Sequence, residues 1–205
     1  MKDKKVVIKL ITRTAIFGAL SIILYMVPGL QFSLPFAPSF LKIHLEEIPI
    51  LLAGFAFGTP TAITLLIIKS VFKLITDIPT TLGIGVLADF IYGCALILPA
   101  TLIYNKHRTF TGVTIGILVG LVANLIVSCL IGLYTIFPLY GLVFGENVIV
   151  GMFQVFDNSI TSLTDIKIAY EFLLPFNFIK DSLVIFVTLI IYKPTRFLID
   201  KIDKK

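Results

Sequence analysis

The stretch GVTIGILVGLVANLIVSCLIGLYTIFPLY, residues 112–140, contains no lysine, arginine, aspartate or glutamate. A helix rises about 1.5 Å per residue and the hydrocarbon core of a bilayer is about 30 Å thick, so about 20 apolar residues suffice to cross it. This stretch is longer than that minimum. It therefore predicts a membrane-spanning helix. The same criterion of length and apolar character applies to the rest of the chain.

The overall composition agrees with a membrane protein. Hydrophobic residues make up 58% of the chain, charged residues 14%, and the mean hydropathy is +1.03. A soluble domain has about 45–50% apolar and about 25% charged residues. The net charge of +5 does not indicate nucleic-acid binding, because the cations lie at the ends of apolar runs. Cys94 and Cys129 both fall inside apolar runs, so we interpret them as packing residues.

The same criterion predicts an all-α integral membrane protein with one membrane domain and six transmembrane helices. The first run is no cleavable signal, because Pro28 and Gly29 follow it without a small-residue cleavage pattern. The second apolar run is short and ends at a turn that contains Gly58 and Pro60. The predicted spans are about 10–28, 46–58, 60–77, 84–104, 112–140 and 172–192.

The cations predict the orientation of these spans. With six crossings, three basic groups fall on one face and hold twelve of the seventeen cations. The positive-inside rule makes that face, with both termini, cytoplasmic. The groups are Lys2, Lys4, Lys5, Lys9 and Arg13, then Lys106 and Arg108, and then Lys193, Arg196, Lys201, Lys204 and Lys205.

Two segments on the outer face leave alternatives open. The link from Gly29 to Leu45 is apolar and aromatic and contains Pro35 and Pro38, which oppose a regular helix. It fits a lid over a pocket and equally a loop lying in the lipid interface. The stretch from 146 to 165 fits a short surface helix or a mobile loop.

Small residues predict where helices approach closely. Gly112, Gly116 and Gly120 recur every four positions on the fifth span, and Ala15 and Ala19 do the same on the first. For the fifth span we favour packing within the chain. For the first span, a partner subunit is nearly as good an explanation.

Ionisable residues at membrane depth are costly, and they usually face a cavity or a partner charge. Lys69 and Lys73 share one face of the third span. They can pair with Glu46, Glu47 or Asp89 in a structural network, or one of them can contact a ligand. Asp89 follows a Gly-x-Gly at the start of the fourth span, where helix amides can hold a polar group.

The last span begins with Pro175, a residue suited to the first turn of a helix. Asn177 and Lys180, three residues apart, share a face near the outer mouth. Lys180 can pair with Asp181 or extend outwards, but we favour a ligand role for Asn177 and Lys180.

The sequence predicts no catalytic residues, no metal site and no resident cofactor. The two histidines, His44 and His107, fall on opposite predicted sides, and no Walker A motif occurs. Uphill transport would thus need a partner or an ion gradient. A stand-alone secondary transporter using Asp89 and Lys69 as a relay stays an alternative, whereas a membrane-embedded enzyme is disfavoured.

The ordered landmarks of the chain resemble those of the S components of energy-coupling factor (ECF) vitamin transporters, and particularly the riboflavin type. The resemblance extends from the first span to the last. It is carried by Leu41-Lys42-Ile43, Glu47-Ile48-Pro49, Phe57-Gly58, Ile68-Lys69-Ser70, Gly83 to Phe90, Leu98-Pro99-Ala100, Pro138-Leu139-Tyr140, Pro175-Phe176-Asn177 with Lys180, and Tyr192-Lys193.

This resemblance implies a six-helix protein of the bacterial plasma membrane that captures a vitamin from outside. It implies docking on a transmembrane T subunit that carries two cytoplasmic ATPases, through a small-residue face matched here by Ala15 and Ala19. The S component would tilt in the bilayer to deliver its ligand and would not itself be an enzyme.

The resemblance also implies a site but leaves the vitamin open. Asn177 and Lys180 keep the riboflavin-type pattern, whereas Val86 stands where that pattern has Glu, and Ser70 and Asp89 stand where it has Asn. Asn177, Lys180, Asp89 and, more weakly, Lys69 are the expected contacts. Riboflavin or a related flavin is the expected ligand, and an anionic vitamin such as pantothenate is the alternative.

Overall fold

The structure is a computed structural model that describes the backbone of residues 2–203. Side chains are described except for those of residues 1–7, 9–10, 78–80, 193 and 195–205. Of the cations near the two termini that predict the orientation, all except Arg13 therefore lie outside the described side chains.

Helices make up most of the described chain. They are α1 Lys2–Met26, α2 Glu47–Phe57, α3 Thr59–Thr81, α4 Ile84–Lys106, α5 Phe110–Ile131, α6 Phe137–Phe144, α7 Glu146–Gln154 and α8 Leu174–Asp203. π-helical turns at Gly132–Ile136 and Ile168–Leu173 join α5 to α6 and lead into α8. Between α1 and α2, a 3-10 turn at Pro28–Leu30 precedes an antiparallel hairpin of β1 Phe32–Ser33 and β2 Lys42–Ile43.

Local sequence explains several helix boundaries. Thr109 caps α5, because its side-chain oxygen accepts a hydrogen bond from the amide of Gly112 at 3.1 Å. α2 ends at Gly58, whose φ of +97° a residue with a side chain rarely adopts. Pro60 then occupies the first turn of α3, where its missing N–H costs nothing.

Four described helical stretches are long and apolar enough to cross a membrane: Thr59–Asp77, Ile84–Lys106, Phe110–Phe144 and Ile168–Tyr192. They overlap the last four predicted spans. Ile11–Met26 and Glu47–Phe57 are shorter apolar helices and overlap the first two. The chain is thus a mostly helical multi-pass protein, while the count of six spans stays a prediction.

Contacts at the two ends of the bundle fix the helix directions. At one end, the Arg13 guanidinium lies 4.8 Å from the Phe57 ring centre, and Asn105 donates to the hydroxyl of Thr59 at 2.8 Å. The beginning of the apolar part of α1 (Ile11–Met26), the end of α2, the start of α3 and the end of α4 therefore meet there. Tyr192, near the end of α8, joins them by donating to the Tyr104 hydroxyl at 2.8 Å.

The opposite end gathers the remaining helix ends. The Tyr25 hydroxyl at the end of α1 donates to Asp77 near the end of α3. The first residues of α2 contact α3 and α8, as described below. Within the described residues, α1, α2, α3, α4, α5 and α8 thus run alternately up and down the bundle, and α6 and α7 cover the second end.

Glycines allow α4 and α5 to pack against each other closely. A Cβ atom placed on Gly116 would lie 2.5 Å from the carbonyl oxygen of Ala100, and one on Gly120 would lie 2.2 Å from that of Leu96. Neither space can hold a methyl group. The prediction that the glycines of this helix pack within the chain is confirmed.

The small residues of α1 divide between two environments. Gly18 packs against Leu65 inside the bundle, whereas Ala15 and Ala19 are exposed. The alanine pair is therefore accessible to another molecule.

Candidate functional site

A cavity of about 740 Å³ lies at the second end of the bundle, where α1 and α3 end and α4 and α8 begin. The hairpin segment, α6 and α7 complete its lining. Asn177, Lys180 and Asp89, which the sequence predicts as ligand contacts, all line it. Lys69 does not appear among the described lining residues and lies behind Lys73.

The segment between α1 and α2 covers part of the cavity. Phe40, Leu41 and His44 are among its lining residues. The Phe40 ring packs edge-on against Phe153 of α7 at 5.9 Å and Phe137 of α6 at 6.3 Å. This arrangement favours the lid over the purely interfacial loop.

Aromatic side chains form much of the cavity wall. They come from five different elements, so they surround the space instead of lining one side. Because planar rings stack and contact edge-on favourably, such a wall suits a flat aromatic ligand. The side chains are Tyr25, Phe40, Tyr92, Phe137, Tyr140, Phe144 and Phe176.

A first buried ionic network joins the beginning of α2 to α3 and α4. Glu46 Oε1 accepts from Lys69 Nζ at 3.0 Å and from Lys73 Nζ at 3.2 Å. Lys73 also contacts Asp89, and Lys69 Nζ lies 3.7 Å from the same carboxylate. Asp89 is the most accessible of the four, with a side chain 19% exposed. This network is the structural alternative that the sequence left open, and Asp89 and Lys73 nevertheless face the cavity.

A second buried network joins α2 to α8. Lys180 Nζ donates to Glu47 Oε1 at 3.0 Å, and their side chains are 6% and 1% exposed. The neighbouring Asp181 instead accepts from the amide of Asn124 on α5 at 2.7 Å. Lys180 therefore pairs with Glu47 and not with Asp181.

Two further contacts order the cavity wall. Lys73 Nζ lies 4.0 Å from the centre of the Tyr25 ring, a cation–π contact. Asn177 donates its side-chain amide to the carbonyl oxygen of Leu173 at 2.8 Å, one turn earlier in the helix. Both side chains are thus held in place before any ligand binds.

The buried charges nearly balance. Lys69, Lys73 and Lys180 lie against three carboxylates, those of Glu46, Asp89 and Glu47. Each of the three lysines is paired with a carboxylate. We call the paired groups that line the cavity, Lys73, Lys180 and Asp89, its polar floor. Because the lysine charges are already compensated, the polar floor offers hydrogen-bond donors and acceptors to a neutral polar ligand more readily than it attracts an anion.

His44 contributes a neutral imidazole to the cavity. Burial lowers the pKa of His44 to about 4, and the ammonium groups of Lys73, Lys180 and Lys69 lower it further, against an opposing effect of Asp89. Its ring lies 5.2 Å from that of Tyr25. At neutral pH it can therefore both donate and accept a hydrogen bond.

Sequence reasoning missed several members of this site. Tyr25, Asp77 and Asn124 were not singled out, and the aromatic wall was seen only in the segment containing Phe40. One signal was available for Asn124, because it and Ser128 are polar residues one turn apart in the most apolar of the four long described stretches, Phe110–Phe144. Both are fully buried, as polar groups inside a membrane helix usually are.

Comparisons with known proteins agree with this architecture. The family described as "ECF transporter, substrate-specific component" matches residues 9–192. A solved S component of a bacterial ECF transporter superposes with a TM-score of 0.71 over 93% of this chain and 97% of its own, at 22% identity. This likeness shows the fold.

Two characterised relatives have similar sequences. The riboflavin transporter RibU of Staphylococcus aureus (strain TCH60) is 25% identical over 181 residues, 88% of each chain. The riboflavin transporter FmnP of Bacillus subtilis (strain 168) is 26% identical over 141 residues, 68% of this chain and 70% of its own. The resemblance noted from the sequence is confirmed, and the chain belongs to the family of substrate-specific S components of ECF transporters.

Proposed function

We propose that this S component binds riboflavin or a closely related flavin from outside the cell and delivers it for uptake. The observation that carries the proposal is the cavity of about 740 Å³, with its aromatic wall and its charge-compensated polar floor. Its volume falls within the roughly 300–1,000 Å³ that is usual for small-molecule sites. Riboflavin presents a flat ring system and a hydroxylated chain, which match the wall and the floor.

The balance of charge supports a neutral vitamin over pantothenate. An anion would have to compete with Glu46, Glu47 and Asp89 for lysines that these carboxylates already hold. Hydroxyl groups of a neutral ligand can instead donate to Asp89 and accept from Lys73 or Lys180 without breaking the ion pairs. The relatives RibU and FmnP are both riboflavin transporters, which points the same way.

The proposed contacts are Asn177, Lys180 and Asp89. Each lines the cavity, and they come from the two helices that begin at its floor. Lys69 supports the site indirectly, since it binds Glu46 and lies close to Asp89.

Transport requires partners and an orientation. We infer six spans with both termini in the cytoplasm of a bacterial cell, so that the cavity faces outwards. The T subunit and two ATPases of an ECF complex would supply energy, and the exposed pair Ala15 and Ala19 on α1 would form the docking face. This small-residue surface lets another helix approach closely within the lipid.

Ligand titration of the purified protein tests the substrate. We expect riboflavin fluorescence to be quenched on binding and riboflavin to raise the Tm, whereas pantothenate does neither. Lys180→Met should weaken riboflavin binding by about 10- to 100-fold, the equivalent of about 1.5–3 kcal/mol for a charged hydrogen bond.

Lys167→Met is the matched control. Lys167 is a partly exposed lysine outside the cavity lining, 3.6 Å from Asp157, so its loss should leave the affinity unchanged. A protein that is stabilised by pantothenate and does not bind riboflavin would overturn the flavin assignment.

A further inference from the structure

The hairpin formed by α6 and α7 carries an exposed apolar surface next to the cavity. Leu142 is 84% exposed and Val155 is 77% exposed. None of the side chains of this surface lines the cavity, so their exposure is on the outside of the protein. We call this surface the hairpin face, and its members are Leu142, Val143, Val148, Val155 and Phe156.

α7 is apolar on two opposite sides. Ile149, Val150 and Phe153 are buried beneath it. Because successive residues are 100° apart around a helix, Val148 and Val155, seven positions apart, form an outer stripe nearly opposite Val150 and Phe153. A helix with water on its outer side would carry polar residues there.

Glu146 and Asn147 are exposed where α6 meets α7, and a second group of polar residues lies in the turn after α7. Asp157 accepts from the hydroxyl of Ser159 at 2.7 Å, and Lys167 Nζ lies 3.6 Å from Asp157. We call Asp157, Ser159 and Lys167 the polar turn. Apart from Glu146 at the start of α7, the charged groups are therefore separated from the apolar surface, as they are in segments that lie in a membrane interface.

The hairpin face continues the outer surface of a membrane helix. Ile126, Leu130 and Tyr134, each four residues apart, are exposed along α5 and the π-helical turn after it. The whole apolar helix from Phe110 to Phe144 has 35 residues and is about 52 Å long at 1.5 Å per residue. That exceeds the roughly 40–45 Å of a bilayer with its headgroups, so the helix is long enough to carry its far end to the outer interface.

We propose that the hairpin face lies in the lipid interface, with its side chains among the upper acyl chains and the polar turn in water. This inference does not depend on which vitamin is bound. Ile149 and Met152, which lie between the outer stripe and the buried side of α7, form part of the cavity wall. In this position α7 forms the wall between the binding site and the lipid.

Single tryptophan reporters test the proposal cleanly, because the chain contains no tryptophan. Leu142→Trp and Val155→Trp place the reporter on the hairpin face. Asn158→Trp places it beside the polar turn, at an exposed position, and serves as the water-side control. Val122→Trp, at a 55% exposed position on α5, about 18 Å along the helix from Phe110, is the control near the centre of the bilayer.

The proteins are reconstituted in phosphatidylcholine vesicles with acyl chains brominated near the headgroup or near the bilayer centre. We expect the emission of the Leu142→Trp and Val155→Trp variants to be quenched most by the shallow bromines, and that of the Val122→Trp variant by the deep ones. The emission of the Asn158→Trp variant should respond to aqueous iodide and little to either lipid. Val148→Trp repeats the test if one variant does not fold.

Two results would overturn the proposal. Iodide quenching of the hairpin-face variants as strong as that of the Asn158→Trp variant would mean that the face is in water. Protection from both bromine and iodide would mean that another protein surface covers it.

Discussion

Removing the charge of Glu47 should destabilise the protein more than any surface substitution. In the Glu47→Gln variant the Lys180 ammonium stays buried, 6% exposed, and loses a carboxylate oxygen at 3.0 Å. The gross attraction of two unit charges at this distance is about 5–6 kcal/mol at an effective dielectric constant of about 20. Breaking a buried pair by removing one partner costs about 3–5 kcal/mol, since the other charge is left uncompensated.

This loss should be visible as a lower Tm. For a domain of this size, about 2–4 °C is lost per kcal/mol, so we expect a decrease of roughly 6–20 °C. Cys94 and Cys129 are free and only partly accessible, so a thiol-reactive fluorophore can report unfolding in detergent. Lys167→Met, which breaks the partly exposed pair with Asp157, should cost less than about 1 kcal/mol.

The double variant Glu47→Gln/Lys180→Met separates charge from packing. It removes both charges and should recover much of the lost Tm, because apolar replacement of a buried pair is often neutral. The reasoning would be refuted if Glu47→Gln lowered the Tm no more than Lys167→Met, or if the double variant were less stable than either single one.

Three further predictions concern packing, pH and docking. Gly120→Ala should lower the free energy of unfolding by about 1–3 kcal/mol, because α4 leaves no room for a methyl group. Gly151→Ala, at a position with nothing within 4 Å, should leave it unchanged, and a comparison of the two Tm values checks this. As the pH falls from 6.5 towards 4, His44 becomes protonated in the unfolded chain before it does so in the folded protein, so the free energy of unfolding should fall by up to about 3 kcal/mol. A His44→Gln variant whose stability depends on pH in the same way as that of the original protein would contradict this. The double variant Ala15→Leu/Ala19→Leu should abolish uptake by cells that carry the ATPase partners, while its ligand affinity stays unchanged. Normal uptake by this variant would exclude the Ala15–Ala19 face as the docking surface.

Much of the fold could be predicted from the sequence because membrane burial demands long apolar runs. The uncharged stretch 112–140 and the glycines within it predicted a helix packed inside the chain, and α5 lies against α4 in that way. The end of α2 at Gly58 followed from residues that permit few conformations. These features depend on neighbours along the chain or on the membrane itself.

The site was harder to predict because its members are distant in sequence. Lys180 and Glu47 are 133 residues apart, and no local pattern indicates that they pair. The sequence did indicate that Asn177, Lys180 and Asp89 lie near one mouth, and all three line the cavity. The pairing of Lys69 and Lys73 with Glu46 and Asp89 was one alternative from the sequence. The partner of Lys180, and the aromatic wall formed by five elements, depend on the tertiary packing of helices that have similar apolar compositions.

The aromatic cluster at the far end of the bundle has a consequence for the route of the ligand. Phe55, Tyr104 and Tyr192 fill the space between α2, α4 and α8, with ring centres 5.1–5.9 Å apart and all three side chains buried. This cluster plugs the described bundle below the cavity, so a bound molecule has no straight passage through it. If the proposed function is correct, a ligand should enter and leave the cavity by the same opening, and delivery would require that opening to turn towards the other side of the membrane.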